Sequence, residues 1–108
     1  MMYVDFMAGN KDYKLRLDTA NVVALEKQIG CNPLSIFGDG STIPTLTVMV
    51  NVLHASLQHF NHGIGIKDAY AIFDDYLEEH SMTDFLPVIV DIYKVSGLLP
   101  NGENTEKN

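Results

Sequence analysis

A chain of 108 residues, 46% of them hydrophobic, is long enough to build one hydrophobic core and too short for two. Its 7 basic and 14 acidic residues give a net charge of −7, which argues against binding to a nucleic-acid backbone. The longest apolar run, near residues 48–53, is far shorter than the roughly 20 residues that cross a bilayer, so we expect no membrane insertion.

The same features predict the compartment and the domain organisation. The single cysteine, Cys31, cannot form an intramolecular disulfide, and no N-terminal segment combines basic residues with a long apolar stretch. We therefore expect a cytoplasmic protein. Residues 1–100 are expected to form a single globular domain, and residues 101–108, which are polar and lack apolar anchors, are expected to form a disordered tail.

The chain is predicted to open with a β-hairpin. Residues 3–7 alternate weakly between apolar and polar side chains, residues 11–17 alternate clearly, and Gly9 and Asn10 between them tolerate positive φ. The side chains on the apolar face of the second strand are Tyr13, Leu15 and Leu17. Because two strands alone are only marginally stable, we expect this face to pack on helices.

Two helices should follow the hairpin. The first is predicted over residues 20–29, with Asp18 or Thr19 as its N-cap and Gly30 as its end. A short turn follows, in which Leu34 and Phe37 are expected to point inward. The second helix is predicted to start near Ser41 or Thr42, with Pro44 in its first turn, and it is apolar almost all round. A helix with that pattern is expected at the centre of the fold.

Two further helices complete the predicted fold. Residues 67–79 have an amphipathic pattern whose apolar stripe consists of Ala69, Ile72, Phe73, Tyr76 and Leu77. The last helix is predicted to start near Ser81 or Thr83 and to end at Gly97. Its buried side chains are expected to be Phe85, Ile89, Ile92 and Tyr93. The predicted fold class is therefore α+β, mainly α, with an N-terminal β-hairpin packed on a bundle of about four helices.

The histidines and glycines do not form a pattern that is typical of a catalytic or metal site. His54 and His59 are five residues apart, which turns them away from each other on a helix, and only His59 and His62 have a ligand-like spacing. No glycine pair has the lysine and the strand–loop–helix context of a phosphate-binding loop. We therefore predict a non-enzymatic protein with no catalytic residue, cofactor or metal.

The second half of the chain is strongly acidic. Seven acidic residues occur between residues 68 and 91, with no lysine or arginine among them. The simpler interpretation is a solvated helix face, and the functional interpretation is a docking surface for a basic partner. The four candidate partner-binding residues are Asp74, Asp75, Glu78 and Glu79. They could also offer a carboxylate pair to a metal, but beside an apolar stripe they are expected to face water.

Three sequence patterns resemble those of a known family. They are LxLxTxNxxALExxxGCNPLxIFG at residues 15–38, Ile43-Pro44-Thr45, and DFxPVIxDIYxxSGLxP at residues 84–100. The resemblance is to small tail assembly chaperones, which are encoded in the tail-morphogenesis region of long-tailed bacteriophages and prophages. It spans nearly the whole chain, from residue 3 to residue 100.

This resemblance implies a function without catalysis. A tail assembly chaperone is expected to bind the long helical tape measure protein in the host bacterial cytoplasm before the tail tube polymerises. It is then expected to leave as the tube subunits assemble, so that tail tube subunits are a further expected partner, and a homo-oligomer is compatible with the resemblance. The alternative is a structural tail or connector subunit that stays in the finished particle and forms symmetric oligomers.

Overall fold

The structure is a computed structural model that describes residues 2–38 and 43–100. Its elements in chain order are strands β1 (Val4–Ala8) and β2 (Lys11–Leu15), helix α1 (Thr19–Ile29), a short 3₁₀ helix (Pro33–Ser35), helices α2 (Leu46–Leu57) and α3 (Ile66–Leu77), a second 3₁₀ helix (Met82–Asp84) and helix α4 (Phe85–Val95). The predicted α+β class, with a hairpin packed on four helices, is confirmed. The predicted tail at residues 101–108 lies outside the described residues.

The hairpin turn has the geometry that the sequence predicts. Strands β1 and β2 are antiparallel, with Phe6 opposite Tyr13. Gly9 and Asn10 form the two-residue connection, and both have positive φ, 59° and 64°. That combination is required by a type I′ turn, whose twist matches the twist of the strands. Gly9 also lies against α3, because a Cβ added to it would lie 2.7 Å from Asp75 Oδ2.

An aromatic cluster joins the hairpin to two of the helices. The Phe6 ring of β1 stacks on Tyr76 of α3, with centroids 4.8 Å apart, and meets Phe85 of α4 edge to face at 5.8 Å. Phe73 of α3 also meets Phe85 edge to face, at 5.2 Å. All four side chains are buried. This cluster covers the apolar face of the hairpin, which two strands could not bury by themselves.

Helix α2 is the central element, as its apolar composition predicts. It contacts α1, α3, α4 and β2. More than half of its residues are buried: Met49, Val50, Val52, Leu53, Ala55, Ser56 and Leu57. Within the described residues, no helix is long and apolar enough to cross a membrane.

The predicted start of the second helix is wrong. Helix α2 begins at Leu46, and its N-cap is Thr45, whose Oγ1 accepts a hydrogen bond from the Val48 N–H at 3.2 Å. Pro44 therefore precedes the cap instead of lying in the first turn. Thr45 is the capping residue closest to the apolar run, and its extended backbone leads directly into the helix. The two predicted caps, Ser41 and Thr42, lie outside the described residues.

Helix α1 begins and ends as predicted. Of the two candidate caps, the structure uses Asp18, whose Oδ1 accepts a hydrogen bond from the Asn21 N–H at 2.9 Å. At the other end Gly30 has φ 75°, the left-handed conformation that commonly terminates helices, and its N–H donates to the Glu26 carbonyl.

Two leucines that were expected to point inward are exposed. Leu34 is 44% exposed, because the 3₁₀ helix turns its neighbour Pro33 into the core instead. Leu77 is 37% exposed. Successive helix residues are rotated by about 100°, so Leu77 lies about a quarter turn away from the buried Tyr76. The buried stripe of α3 therefore ends at Tyr76.

The C-terminal end of α4 is fixed to the segment between β2 and α1. Arg16 Nη1 donates hydrogen bonds to the carbonyl of Val95, at 2.6 Å, and to the carbonyl of Met2, at 2.9 Å. The Leu17 N–H donates to Ser96 Oγ at 2.8 Å. A guanidinium at this position satisfies a carbonyl of the last helical turn and interacts favourably with the negative end of the helix dipole. The buried residues of α4 are those predicted: Phe85, Ile89, Ile92 and Tyr93.

Candidate functional site

An open, mostly apolar groove lies between α2 and α3. Its volume is about 380 Å³. The start of α2 contributes one wall, formed by Leu46, Thr47, Val50 and Asn51. The second half of α3 contributes the other wall, formed by Tyr70, Phe73, Asp74 and Leu77. Below, these eight residues are called the α2–α3 groove.

Three of the apolar side chains that line the groove are exposed. Leu46 is 46% exposed, Tyr70 is 53% exposed and Leu77 is 37% exposed. Scattered apolar residues on a surface are ordinary, but these three lie around one concavity. Exposed apolar side chains that line a groove are typical of a site that binds another protein.

Helical periodicity explains why α3 contributes to both the core and the groove. Its buried stripe consists of Ala69, Ile72, Phe73 and Tyr76. Tyr70, Asp74 and Leu77 follow one another at i, i+4 and i+7, so they form a second stripe beside the first. The sequence pattern predicts Leu77 in the core and does not indicate that Tyr70 or Leu46 lines a groove. The sequence does contain one indication of the groove, because Tyr70 is an aromatic residue that lies outside the main apolar stripe of this amphipathic helix.

The structure separates the four predicted partner-binding residues into two pairs. All four are exposed. Asp74 lines the groove, and Glu78 follows it by one helical turn on the same side. Asp75 and Glu79 lie on the other side, next to the hairpin turn at Gly9. Only the first pair is therefore placed beside the apolar groove.

The C-terminal end of α3 carries uncompensated negative charge. Its last turn contains no basic residue, and the carbonyl groups at a helix C-terminus add a partial negative charge of their own. In residues 2–38 and 43–100, the ion pairs are those of His59 with Asp18 and of His80 with Asp84. Within that part of the chain, neither Asp74 nor Glu78 therefore has a cationic partner.

A second depression lies between the hairpin and α3 and differs in character. Its volume is about 650 Å³, and it is lined by charged residues that include Lys11, Asp12, Asp68 and Asp75. Within the described residues, no group of three or more histidine, cysteine, aspartate or glutamate side chains is placed to hold a metal ion. Because this depression is polar and already contains both signs of charge, it is a weaker candidate for protein binding than the groove.

A small exposed aromatic patch lies where the N-terminal segment meets the residues that follow α2. The rings of Tyr3 and Phe60 meet edge to face with centroids 5.6 Å apart. Lys14 Nζ lies 5.0 Å from the Tyr3 centroid and 5.9 Å from the Phe60 centroid. The ammonium group is thus already in contact with both rings, in the arrangement of a cation–π interaction.

Two of the histidines have structural contacts. His54 Nε2 donates a hydrogen bond to the Ile64 carbonyl at 2.9 Å, and Gln58 Nε2 donates to the same carbonyl at 2.8 Å. Together they fix the loop between α2 and α3. His59 Nδ1 lies 3.3 Å from Asp18 Oδ2, next to the N-terminus of α1. One ring nitrogen of each of these histidines therefore has a polar partner within this chain.

The pKa of Asp18 is lowered by its role as a helix cap. The hydrogen bond from the Asn21 N–H has the largest effect, because it stabilises the ionised carboxylate. Partial burial acts in the opposite direction, and His59 and Arg16 lower the pKa further. The altered ionisation of Asp18 is therefore a consequence of helix capping.

Tyr93 is a buried acidic group whose contacts are structural as well. Its ring is fully buried, and its hydroxyl donates a hydrogen bond to the Pro33 carbonyl at 2.9 Å. Burial raises the pKa of the Tyr93 hydroxyl well above its usual range. The phenol thus stays protonated and attaches the 3₁₀ helix to α4.

No protein-family model, curated protein or solved structure matches the chain. The basis for a functional inference is therefore the geometry of the α2–α3 groove together with the three sequence patterns at residues 15–38, 43–45 and 84–100.

Proposed function

We propose that this chain is a non-enzymatic phage tail assembly chaperone that binds the tape measure protein before the tail tube polymerises. The observation that carries the proposal is the open apolar α2–α3 groove with Asp74 in its wall. The proposed place of action is the cytoplasm of the host bacterium. Tail tube subunits are a second proposed partner, at the stage when the tape measure protein is released.

Physical chemistry supports a chaperone with these properties. A long helix with exposed apolar seams aggregates unless another surface covers those seams. A groove between two helices is a common receptor for one face of an amphipathic helix. The net charge of −7 would also keep a complex of many chaperone copies soluble, because the copies repel one another.

The positions of the sequence patterns are compatible with this proposal. Residues 15–38 extend from the end of β2 through α1 and the first 3₁₀ helix to the turn that follows it, and residues 84–100 contain α4. These two segments pack together through Arg16 and Tyr93, so they build the scaffold. The groove lies in the sequence between them, on α2 and α3.

Co-expression with the tape measure protein of the same phage or prophage tests the proposal. The two proteins would be purified through a tag on one of them and then separated by size exclusion. We expect a soluble complex, a larger soluble fraction of the tape measure protein than without the chaperone, and no copy of this chain in finished particles.

The opposite result would favour the alternative. If no complex forms and the chain is found in mature tails, it is a structural tail or connector subunit. Mass spectrometry of purified particles measures this directly. A chain that forms no complex and is also absent from particles would contradict both functions.

A further inference from the structure

We infer that the α2–α3 groove binds one short amphipathic helix that carries a lysine or arginine at the end of its apolar seam. This inference rests on the proposed function, since it describes the segment of the tape measure protein that the groove would recognise. The apolar seam of that helix would lie on Leu46, Tyr70 and Leu77, and its basic residue would lie beside Asp74 and Glu78.

The shape of the groove favours a helix as the occupant. The wall on α3 extends from Tyr70 to Leu77, which is two helical turns, or about 10 Å. The opposite wall consists of the first turns of α2. A channel between two helices accepts a third helix whose apolar residues recur at i, i+3 or i+4, and i+7. Two turns of an amphipathic helix therefore match the length of the apolar wall.

The charge around the groove favours a basic residue in the occupant. Asp74 lies in the wall, Glu78 lies one turn further on, and the groove lining contains no basic side chain. Acidic side chains at the C-terminal end of a helix interact unfavourably with the helix dipole. A lysine or arginine supplied by the partner would relieve that repulsion and orient the partner along the groove.

Other occupants fit less well. Residues 39–42 and 101–108 of this chain contain no aliphatic or aromatic side chain, so neither segment could fill an apolar groove. A second copy would form a two-fold interface in which the same surface is present on both sides. Such an interface would pack two groove linings that contain Asp74 and no basic side chain against each other, so it would offer no cation to the acidic groups.

A pair of synthetic helical peptides tests the inference with the full-length protein. Both would carry leucines at i, i+4 and i+7, one with two lysines after the last leucine and the other with two glutamates. We expect the lysine peptide to bind roughly tenfold more tightly at low salt, and the difference to shrink at high salt. Backbone NMR shifts should change at the α2–α3 groove.

Substitutions in the groove provide the matched controls. Tyr70→Ala and Leu77→Ala should each weaken the lysine peptide roughly tenfold, whereas Leu34→Ala, which removes a similarly exposed leucine elsewhere, should not. Asp74→Lys should reverse the preference in favour of the glutamate peptide. Glu79→Lys makes the same charge change on the other side of α3 and should leave the preference intact. The melting temperature of each variant verifies that it is folded.

Three results would overturn the inference. They are equal affinity for the two peptides, shift changes centred on the Tyr3–Phe60 patch, and self-association that Leu77→Ala abolishes, which would assign the groove to a second copy.

The proposed function is tested separately. If the lysine peptide binds but the tape measure protein does not co-purify, the function fails and the groove assignment stands. If the tape measure protein co-purifies equally well with Tyr70→Ala and Leu77→Ala, the assignment fails and the function stands.

Discussion

Helix α3 has two apolar faces that differ in what covers them. On one face Tyr76 is 5% exposed and packs in the aromatic cluster with Phe6 and Phe85. On the other face Tyr70 is 53% exposed and lines a groove. The same residue type on the same helix therefore has two environments, one provided by this chain and one left open to water.

The covered face of α3 should contribute to the stability of the fold, and the open face should contribute to the binding of a partner. A side chain that this chain covers contributes to folding through the area that it buries, whereas a side chain that remains exposed contributes little until a partner covers it. Substitutions on the buried face should therefore destabilise the protein, and substitutions on the groove face should change binding without unfolding it. The predictions that follow test this separation.

The largest effect is expected from the two tyrosines of α3. Tyr76→Ala removes a ring from the aromatic core and should lower the free energy of unfolding by about 3 to 5 kcal/mol. Tyr70→Ala should change it by no more than about 0.5 kcal/mol, because more than half of the side chain is already exposed. Urea unfolding followed by circular dichroism measures both values. Equal destabilisation by the two substitutions would mean that the groove face contributes to the core.

A smaller effect should follow from removal of a single buried hydroxyl. Tyr93→Phe leaves the Pro33 carbonyl with only the long hydrogen bond from the Ile36 N–H, at 3.5 Å, and should lower the free energy of unfolding by about 1 to 3 kcal/mol. Tyr70→Phe is the matched control in the groove and should be close to neutral. Thermal unfolding of the two variants next to the wild type gives the comparison, and a neutral Tyr93→Phe would show that the Tyr93 hydroxyl does not stabilise the fold.

The next effect depends on pH and concerns the cap of α1. Because the pKa of Asp18 is lowered in the folded state, its ionised carboxylate stabilises the protein above its ordinary pKa of 3.8. This contribution is lost as the pH falls below 3.8 and through the lower folded-state pKa. Asp18→Ala should lower the free energy of unfolding by about 1 kcal/mol at neutral pH. Asp18→Asn keeps a capping oxygen and should cost less.

The measurement for this prediction is the unfolding free energy as a function of pH. The difference between the wild type and Asp18→Asn should be largest at neutral pH and should decrease towards strongly acidic pH. If the difference is the same across that range, the carboxylate charge of Asp18 does not stabilise the helix.

Local sequence features predict most of the fold because they act within a few residues. Gly9 and Asn10 specify the hairpin turn, and Asp18 and Gly30 delimit α1. The start of α2 was missed because several capping residues precede the apolar run, and local chemistry does not decide among them. Thr45, the capping residue next to the helix, is the one that the structure uses.

The candidate site was only partly predictable, because exposure depends on which neighbours cover a helix face. The exposure of Asp74 and Glu78 follows from the amphipathic pattern of α3. Helical rotation also places Asp75 and Glu79 on a different side of α3 from Asp74 and Glu78, a separation that the sequence-based prediction of one four-residue surface did not include. In contrast, the exposure of Leu46 and Leu77 depends on the packing of α2 against α3, which no local pattern specifies.

The last comparison is between the two ends of α3, where replacing an acidic residue by lysine should change the free energy of unfolding in opposite directions. Asp68 lies in the first turn, and its Oδ2 accepts a hydrogen bond from the Gly65 N–H at 3.0 Å. Asp68→Lys should therefore destabilise the protein by about 1 kcal/mol, since it removes that bond and places a positive charge at the positive end of the dipole.

Glu78→Lys makes the same charge change at the C-terminal end of α3 and should raise the free energy of unfolding by about 0.3 to 1 kcal/mol at low salt. The same substitution should weaken binding of a basic helix, because it removes one of the two acidic groups beside the groove. A gain in stability together with a loss of binding would indicate that this negative charge serves recognition at the expense of folding. If Glu78→Lys instead destabilises the protein, the acidic end of α3 has a stabilising contact within the chain, and the argument for a basic partner loses its electrostatic basis.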